Sequence, residues 1–231
     1  MDTVNLSEIA AMLPPKQFAQ LIDHTCVKPC AGQREIAQLC DEARRFGFAA
    51  VSVNPVWTSY CAKRLEGSRV RINACIGFPL GASTAHIKVE ETREAVKNGA
   101  TEIDMVINIG ALTSGFPDFV EREIAAVVRA ADERPVKVIL ETGYLSKENK
   151  VQVCEMSIRA GAAYVKTATG FGPSGATLED VALMRQVVGD KLGVKAAGGI
   201  RTYMDAVSML EAGATRIGTS AGVSIMDEMG E

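Results

Sequence analysis

Hydrophobic and polar positions alternate in two registers along this chain, and the switch between them recurs. A helical pattern ends at a glycine, and within about three residues a short strand-like apolar run begins. "RRFGFAAVSVN", "VKNGATEIDMVIN", "IRAGAAYVKTAT" and "LEAGATRIGTS" all follow this plan. The glycine suits the left-handed position that closes a helix. "RINACIGFP" and "PVKVILETG" likewise follow helical segments, and "GVKAAGG" and "QLIDHT" complete a count of eight strands. Between them the pattern predicts helices over 33–46, 55–65, 84–98, 117–133, 146–160, 177–189, 202–212 and 220–228.

Strand alternating with helix throughout predicts a parallel α/β architecture. Eight units in about 210 residues fit a (β/α)8 barrel of the TIM type. Residues 5–20 read as an extra N-terminal helix; a doubly wound open sheet is the alternative arrangement of the same units. No linker, low-complexity segment or charge block divides the chain, so residues 1–231 are expected to form one barrel domain.

Successive strand residues point to opposite faces, so parity sorts them. In "TEIDMVIN", Ile103, Met105 and Ile107 form an apolar row suited to the helical shell, and Glu102, Asp104 and Asn108 form the other. Strand five turns Val136, Val138 and Leu140 outward and Lys137 and Glu141 inward. Strands six, seven and eight turn Val165, Val194, Ala196 and Ile217 outward, leaving Lys166, Lys195 and Arg216 inside. The first three strands add Asp23 and Thr25, Ser52 and Asn54, and Asn73 and Cys75. The expected interior thus sets Asp23, Glu102, Asp104 and Glu141 against Lys137, Lys166, Lys195 and Arg216. Matched charges limit the penalty of burying isolated ions, although pairing need not stabilise the fold. A solvated polar face on an open sheet is the other reading. Parallel sheets normally have both faces covered, which favours a closed interior whose upper end is a reaction site.

Composition narrows the possible partners. The chain is 47% hydrophobic, enough for a substantial core, and its net charge of −3 makes no electrostatic case for nucleic acid or an anionic membrane. "MDTVNLSEIAAMLPPKQ" lacks the basic and long apolar regions of a secretory signal, and no stretch approaches a membrane span. A cytoplasmic protein is expected. Cys26, Cys30, Cys40, Cys61, Cys75 and Cys154 show no CxxC spacing and read as reduced thiols, a disulfide or thiolate–metal framework being the alternative. Only His24 and His86 could serve as imidazole ligands, which argues against a zinc or other metal-dependent site. Neither metal nor cofactor is expected.

The loops supply the candidate chemistry. In barrels of this kind the active site lies at the C-terminal strand ends, and phosphate is often held after strands seven and eight. Here strand seven runs into "AAGGIRT" and strand eight into "IGTSAGVS", each just before a predicted helix N-terminus. Backbone N–H groups at Gly198, Gly199 and Gly218 can approach an anion there, with a hydroxyl from Ser220 and Arg201 nearby. Ordinary turn geometry for the glycines and helix capping for Ser220 are the plainer alternatives. "TGFGP" after strand six adds Gly170 and Gly172 beside the same sector, and Thr169 is a candidate contact to substrate hydroxyls or a simple turn residue. Lys166 and Lys195 occupy corresponding inward positions on adjacent strands, whose axes lie about 4.8 Å apart. Two nearby ammonium groups disfavour each other's protonation, and burial acts the same way. A neutral amine can attack a carbonyl to form a Schiff base, so one lysine is a candidate nucleophile and the other tunes it. Asp104 is placed to shuttle protons. The alternative is a structural ion pair between a lysine and Asp104 or Glu102.

"LIDHT", "EIDMVINIGAL", "YVKTATGF", "VKAAGGIRT" and "IGTSAG" together resemble the deoxyribose-phosphate aldolase family, in the family's order and from about residue 20 to 223. The resemblance implies a class I, metal-independent aldolase on a (β/α)8 barrel that reversibly cleaves 2-deoxy-D-ribose 5-phosphate to acetaldehyde and D-glyceraldehyde 3-phosphate. It makes Lys166 the Schiff-base lysine, Lys195 the lysine that perturbs it and assists proton transfer, and Asp104 the proton donor and acceptor. It assigns phosphate contacts to Gly170, Gly198, Gly199, Gly218 and Ser220. Asp23 supports the lysine network from behind, in charged surroundings completed by Glu102 and Lys137. It also implies a homodimer or another small homo-oligomer.

Two departures stand out. Some family members end in a tyrosine that reaches the site, and "SIMDEMGE" has none. Strand two carries Ser52 where related sequences often have cysteine, a change expected to alter sensitivity to aldehydes but not the chemistry. Competing readings are another phosphosugar enzyme, transaldolase-like or an isomerase, and a catalytically silent phosphosugar-binding protein. A simple isomerase has no need of the lysine pair, and the presence of all three core residues weighs against a silent protein.

Overall fold

Where the sequence alternates between its two registers, the chain alternates between strand and helix. The computed structural model describes residues 13–230. After a short helix α1 (Pro15–Ala19), the chain runs through β1 (Ile22–Cys26), α2 (Gln33–Phe46), β2 (Ala50–Val53), α3 (Thr58–Arg64), β3 (Arg71–Ile76) and α4 (Ala85–Lys97). It continues through β4 (Glu102–Val106), α5 (Ile109–Thr113), α6 (Pro117–Ala130), β5 (Val136–Ile139), α7 (Lys147–Arg159) and β6 (Tyr164–Lys166). The last units are α8 (Leu178–Val188), β7 (Gly193–Ala197), α9 (Tyr203–Glu211), β8 (Arg216–Thr219) and α10 (Gly222–Met229). The strands pair in chain order, all parallel, and β8 returns to β1, so the sheet is a closed eight-stranded barrel. This is the TIM-barrel architecture, and closure rules out the open doubly wound sheet.

Parity holds along the strands. Ile103, Met105, Val136, Val138, Val165, Val194, Ala196 and Ile217 are buried between barrel and helices. Each of the larger ones, valine, isoleucine or methionine, contributes about 1.5–3 kcal/mol on leaving water. The helices meet them with matching stripes, as α2 does with Ile36, Leu39, Cys40 and Ala43. Its end is closed by Gly47 at φ 73°, whose N–H donates to Ala43 O, a conformation that favours glycine. Side chains of Thr84, Ser146, Thr177 and Thr202 cap the N-termini of α4, α7, α8 and α9.

The boundaries differ from expectation in three places. The helix expected over 55–65 opens with a 3-10 turn, Pro55–Trp57, before α3 begins. A short helix, α5, follows β4 directly because Asn108 leaves the strand and caps it, its side-chain oxygen accepting Ala111 N–H at 2.9 Å. The helix expected over 5–20 falls partly outside the described residues; of its described part only Pro15–Ala19, α1, is helical, and Leu13, Pro14 and Gln20 are not. No helix among the described residues is long and apolar enough to cross a membrane.

Candidate active site

The barrel places its inward row in register. Lys166 pairs with Lys195 across β6 and β7, Lys195 with Arg216 across β7 and β8, and Asp104 with Lys137 across β4 and β5. Neighbouring side chains on one face are then forced together. Lys166 Nζ donates to Asp104 Oδ2 at 2.7 Å, and Lys195 Nζ donates to the same oxygen at 2.8 Å. Lys195 also lies 2.6 Å from Asp23 Oδ2, whose other oxygen accepts from Arg216 at 2.7 Å. Lys137 lies 2.6 Å from Glu102 and 3.1 Å from Asp104. Below, Glu102 also meets Arg71 at 2.7 Å, from a half-exposed position at the barrel's base. Asn73 Oδ1 accepts from Lys137 at 2.8 Å, and Ser52 Oγ accepts from Asn73 at 3.0 Å, so the serine ends a buried hydrogen-bond chain.

The interior is therefore not four carboxylates against four cations. Asp23, Glu102 and Asp104 share Lys137, Lys166, Lys195 and Arg216. Glu141 stands apart: it lies past the end of β5, in left-handed backbone, and its carboxylate accepts from Thr169. One buried cation is in excess, and the protonation pattern reflects it. Burial pushes Lys195 below the ordinary lysine pKa; Asp104 and Asp23 return part of that loss, and the Lys166 and Lys137 ammonium groups add to it. Burial opposes the charge on Lys166 as well, but Asp104 beside it holds its pKa above the ordinary value. The depressed amine in the resting site is thus Lys195, where sequence reasoning placed it at Lys166. Asp104 and Asp23 resist burial in the same way. Lys137, Lys166 and Lys195 hold Asp104 well below the carboxylate range, and Lys195, Lys137 and Arg216 hold Asp23 below it.

Above this floor opens a cavity of about 800 Å³ lined by Lys166, Thr169, Gly170, Gly198, Gly199, Arg201, Gly218 and Ser220, together with His24 and the loop after β1. All the residues expected to hold phosphate therefore line one space with the lysine. Gly170 and Gly199 have φ of 87° and 82° with no heavy atom within 4 Å of where a Cβ would stand. The helix N-termini divide differently from expectation. The N–H groups leading into α9 are already taken: Asp205 accepts from Arg201 N and Thr202 N at 3.0 Å, and Glu228 accepts from Tyr203 N at 2.7 Å. No side chain caps α10, whose N–H groups follow Ser220. Gly218 makes room for the Lys195 side chain, whose Cε would lie 2.9 Å from a Cβ there. Gly172 is no cavity residue; Glu141 fills the space a Cβ would need.

Sequence reasoning missed three features here. Phe78 places its ring 6.0 Å from Lys166 Nζ and meets Phe171 edge-on. His24 Nε2 pairs with Glu42 at 2.7 Å. Tyr164, two residues before Lys166 and on the same face by parity, lies under Arg216. Parity could have found the tyrosine; the loop conformation behind Phe78 carries no local signal, and nothing in β1 alone names Glu42 of α2 as the partner of His24.

With this geometry in hand, comparison with known proteins defines the class. Residues 18–227 match the DeoC/LacD family aldolases, and the chain belongs to that family. Among its relatives, the deoxyribose-phosphate aldolase of Caldanaerobacter subterraneus subsp. tengcongensis is 56% identical over 214 residues, spanning 91% of this chain and 93% of that protein. That of Brevibacillus brevis is 57% identical over 205 residues, spanning 89% and 93%. A solved tetrameric deoxyribose phosphate aldolase from Aeropyrum pernix superposes with a TM-score of 0.91 at 33% identity, covering 100% of this chain and 99% of that one.

Proposed function

We propose that the barrel is a single catalytic domain that cleaves 2-deoxy-D-ribose 5-phosphate reversibly to D-glyceraldehyde 3-phosphate and acetaldehyde, as a class I aldolase. The observation that carries the reading is one carboxylate oxygen, Asp104 Oδ2, bonded to both lysines on the floor of a glycine-rimmed cavity. In the resting site Asp104 holds the pKa of Lys166 above the ordinary lysine value, and burial holds that of Lys195 below it. With Lys195 as the neutral amine, Asp104 links it to Lys166, so the proton Lys166 gives up passes to Lys195 rather than to solvent and leaves Lys166 the nucleophile.

Neutral Lys166 attacks C1 of the open-chain sugar, and loss of water leaves a cationic imine. A base in the Asp104–Lys195 pair takes the C3 hydroxyl proton. The C2–C3 bond breaks, its electrons moving toward the imine as an enamine while glyceraldehyde 3-phosphate leaves. The same pair returns a proton to C2, which becomes the methyl carbon of acetaldehyde, and water releases the product and restores the amine. Buried Asp104 stays ionised beside its lysines, so it stabilises each cationic stage. Asp23, Glu102 and Lys137 fix its orientation and that of Lys195 from behind.

The phosphate sits at the rim, against Gly170, Gly198, Gly199, Gly218 and Ser220, with Arg201 adding charge and Thr169 facing the sugar hydroxyls. The enzyme works in the cytoplasm as a homodimer or another small homo-oligomer. A Lys166→Arg protein tests the chemistry: it keeps a cation at the floor but cannot form the imine. Equal yields of the two aldehydes are expected from the wild type and none from the variant. Retained turnover in the variant would exclude the Schiff-base route.

A further inference from the structure

One side chain outside the cavity holds its rim together. Glu141 has φ 56° and ψ 62°, a left-handed backbone unfavourable for a residue with a side chain and concentrated at functional sites. It is 2% exposed, and the partners of its carboxylate come from the loop after β6. Its two oxygens lie 3.2 and 3.3 Å from Thr169 N, and one also accepts the Thr169 hydroxyl. Thr169 Oγ1 in turn accepts Phe171 N–H at 3.0 Å.

Glycines mark how tightly the layers meet. A Cβ at Gly172 would stand 2.8 Å from Glu141 Cδ, and one at Gly143 would stand 2.5 Å from Ser174 Oγ. The loop is locked in turn to the next one. Ala176 N donates to Gly198 O at 3.0 Å, and a Cβ at Gly175 would stand 2.3 Å from that oxygen. The turn after β5, the loop carrying Gly170 and the loop carrying Gly198 and Gly199 therefore stack in order, with Glu141 at the base.

The protons on Thr169 settle its chemistry. Its one hydroxyl proton goes to Glu141 and one lone pair takes Phe171 N–H, which leaves a lone pair but no proton for the cavity. We infer that Glu141 is a positioning residue: it sets the phosphate loops in register and makes Thr169 an obligate acceptor for a substrate hydroxyl. This rests on the aldolase reading above and adds to it a residue that never touches substrate.

The test compares wild type, Glu141→Gln and Gly172→Ala on 2-deoxyribose 5-phosphate and on unphosphorylated 2-deoxyribose, with inorganic phosphate binding measured alongside. Glutamine keeps the shape but has one acceptor oxygen, so its NH2 group turns the Thr169 hydroxyl outward. The preference for the phosphorylated sugar, as a ratio of kcat/KM values, is expected to fall about tenfold or more, chiefly through KM, because sub-ångström misplacement of a binding loop has effects of this order. The Kd for phosphate rises in parallel. Gly172→Ala keeps the carboxylate but displaces it, and shows the same change. A lower Tm with ratio and Kd unchanged in both variants would make Glu141 structural only and overturn the inference. A wild type that cleaves neither sugar would overturn the aldolase reading, and the inference with it.

Discussion

Asp104 Oδ2 sits 2.7 and 2.8 Å from two lysines that differ in their hold on a proton, and in the mechanism we propose that difference is the site's working element. Removing Lys195 separates the two functions of the pair. A Lys195→Met protein has three interior carboxylates for three cations, so its Tm is expected to equal or exceed that of the wild type. Its turnover falls by about 10²–10⁴-fold, the usual contribution of a positioned proton carrier. Lys166, then sharing Asp104 with one cation fewer, holds its proton more firmly, so the residual activity rises toward alkaline pH where the wild-type profile is flatter. A pH–rate profile of the variant parallel to that of the wild type would contradict this division of roles. At this scale the sequence was informative while the strand lasted. Parity located Lys166, Lys195, Asp104, Asp23, Glu102 and Lys137 correctly, because each lies within a regular strand. It failed at Glu141 and Asn108, which lie beyond the ends of β5 and β4, where the backbone turns and period two stops.

Among the helices, the least legible feature is a buried ion pair in the shell. Lys88 of α4 and Glu123 of α6 are both 0% exposed in their side chains and 2.8 Å apart. Lys88 Nζ donates to Val106 O at 2.8 Å, and Glu123 accepts Asn108 N–H at 3.1 Å, so the pair grips the chain where it leaves β4. "AHIKVEETREAVK" reads as a solvated helix, and no one-helix pattern announces a partner on another helix. Burying the pair opposes the charge on each: burial pulls Lys88 down and pushes Glu123 up, against their mutual attraction. Lys88→Met alone strands the carboxylate and is expected to cost about 3–5 kcal/mol by urea denaturation. The double variant Lys88→Met/Glu123→Leu recovers most of that loss. Equal destabilisation by the single and double variants would show that the two side chains do not act as a pair.

Across the whole molecule, eight repeated units were enough to foresee the closed barrel and the end of it that carries the site. What the repeat could not convey is how charge is apportioned inside, because that depends on which side chains of eight strands reach one another. The buried carboxylates also set the response to acid. Asp23 is held below its unfolded value of about 3.9, so its contribution is complete above that pH and is lost as pH falls toward its folded pKa. Glu91 and Glu123, raised by burial, act in the opposite sense, so a comparison with Asp23→Asn isolates the term. The stability gap between wild type and Asp23→Asn is expected to be constant near neutrality and to close below about pH 3.9. A gap unchanged down to the acid limit of folding would show that Asp23 gains nothing from its neighbours.

The central claim is that a lysine poised over Asp104 forms a Schiff base, and trapping tests it most directly. The protein is incubated with acetaldehyde, reduced with borohydride and mapped by mass spectrometry. An ethyl group on Lys166, absent when borohydride is omitted, is the result this account predicts. No adduct, or ethyl groups spread over surface lysines with Lys166 unmodified, would contradict it.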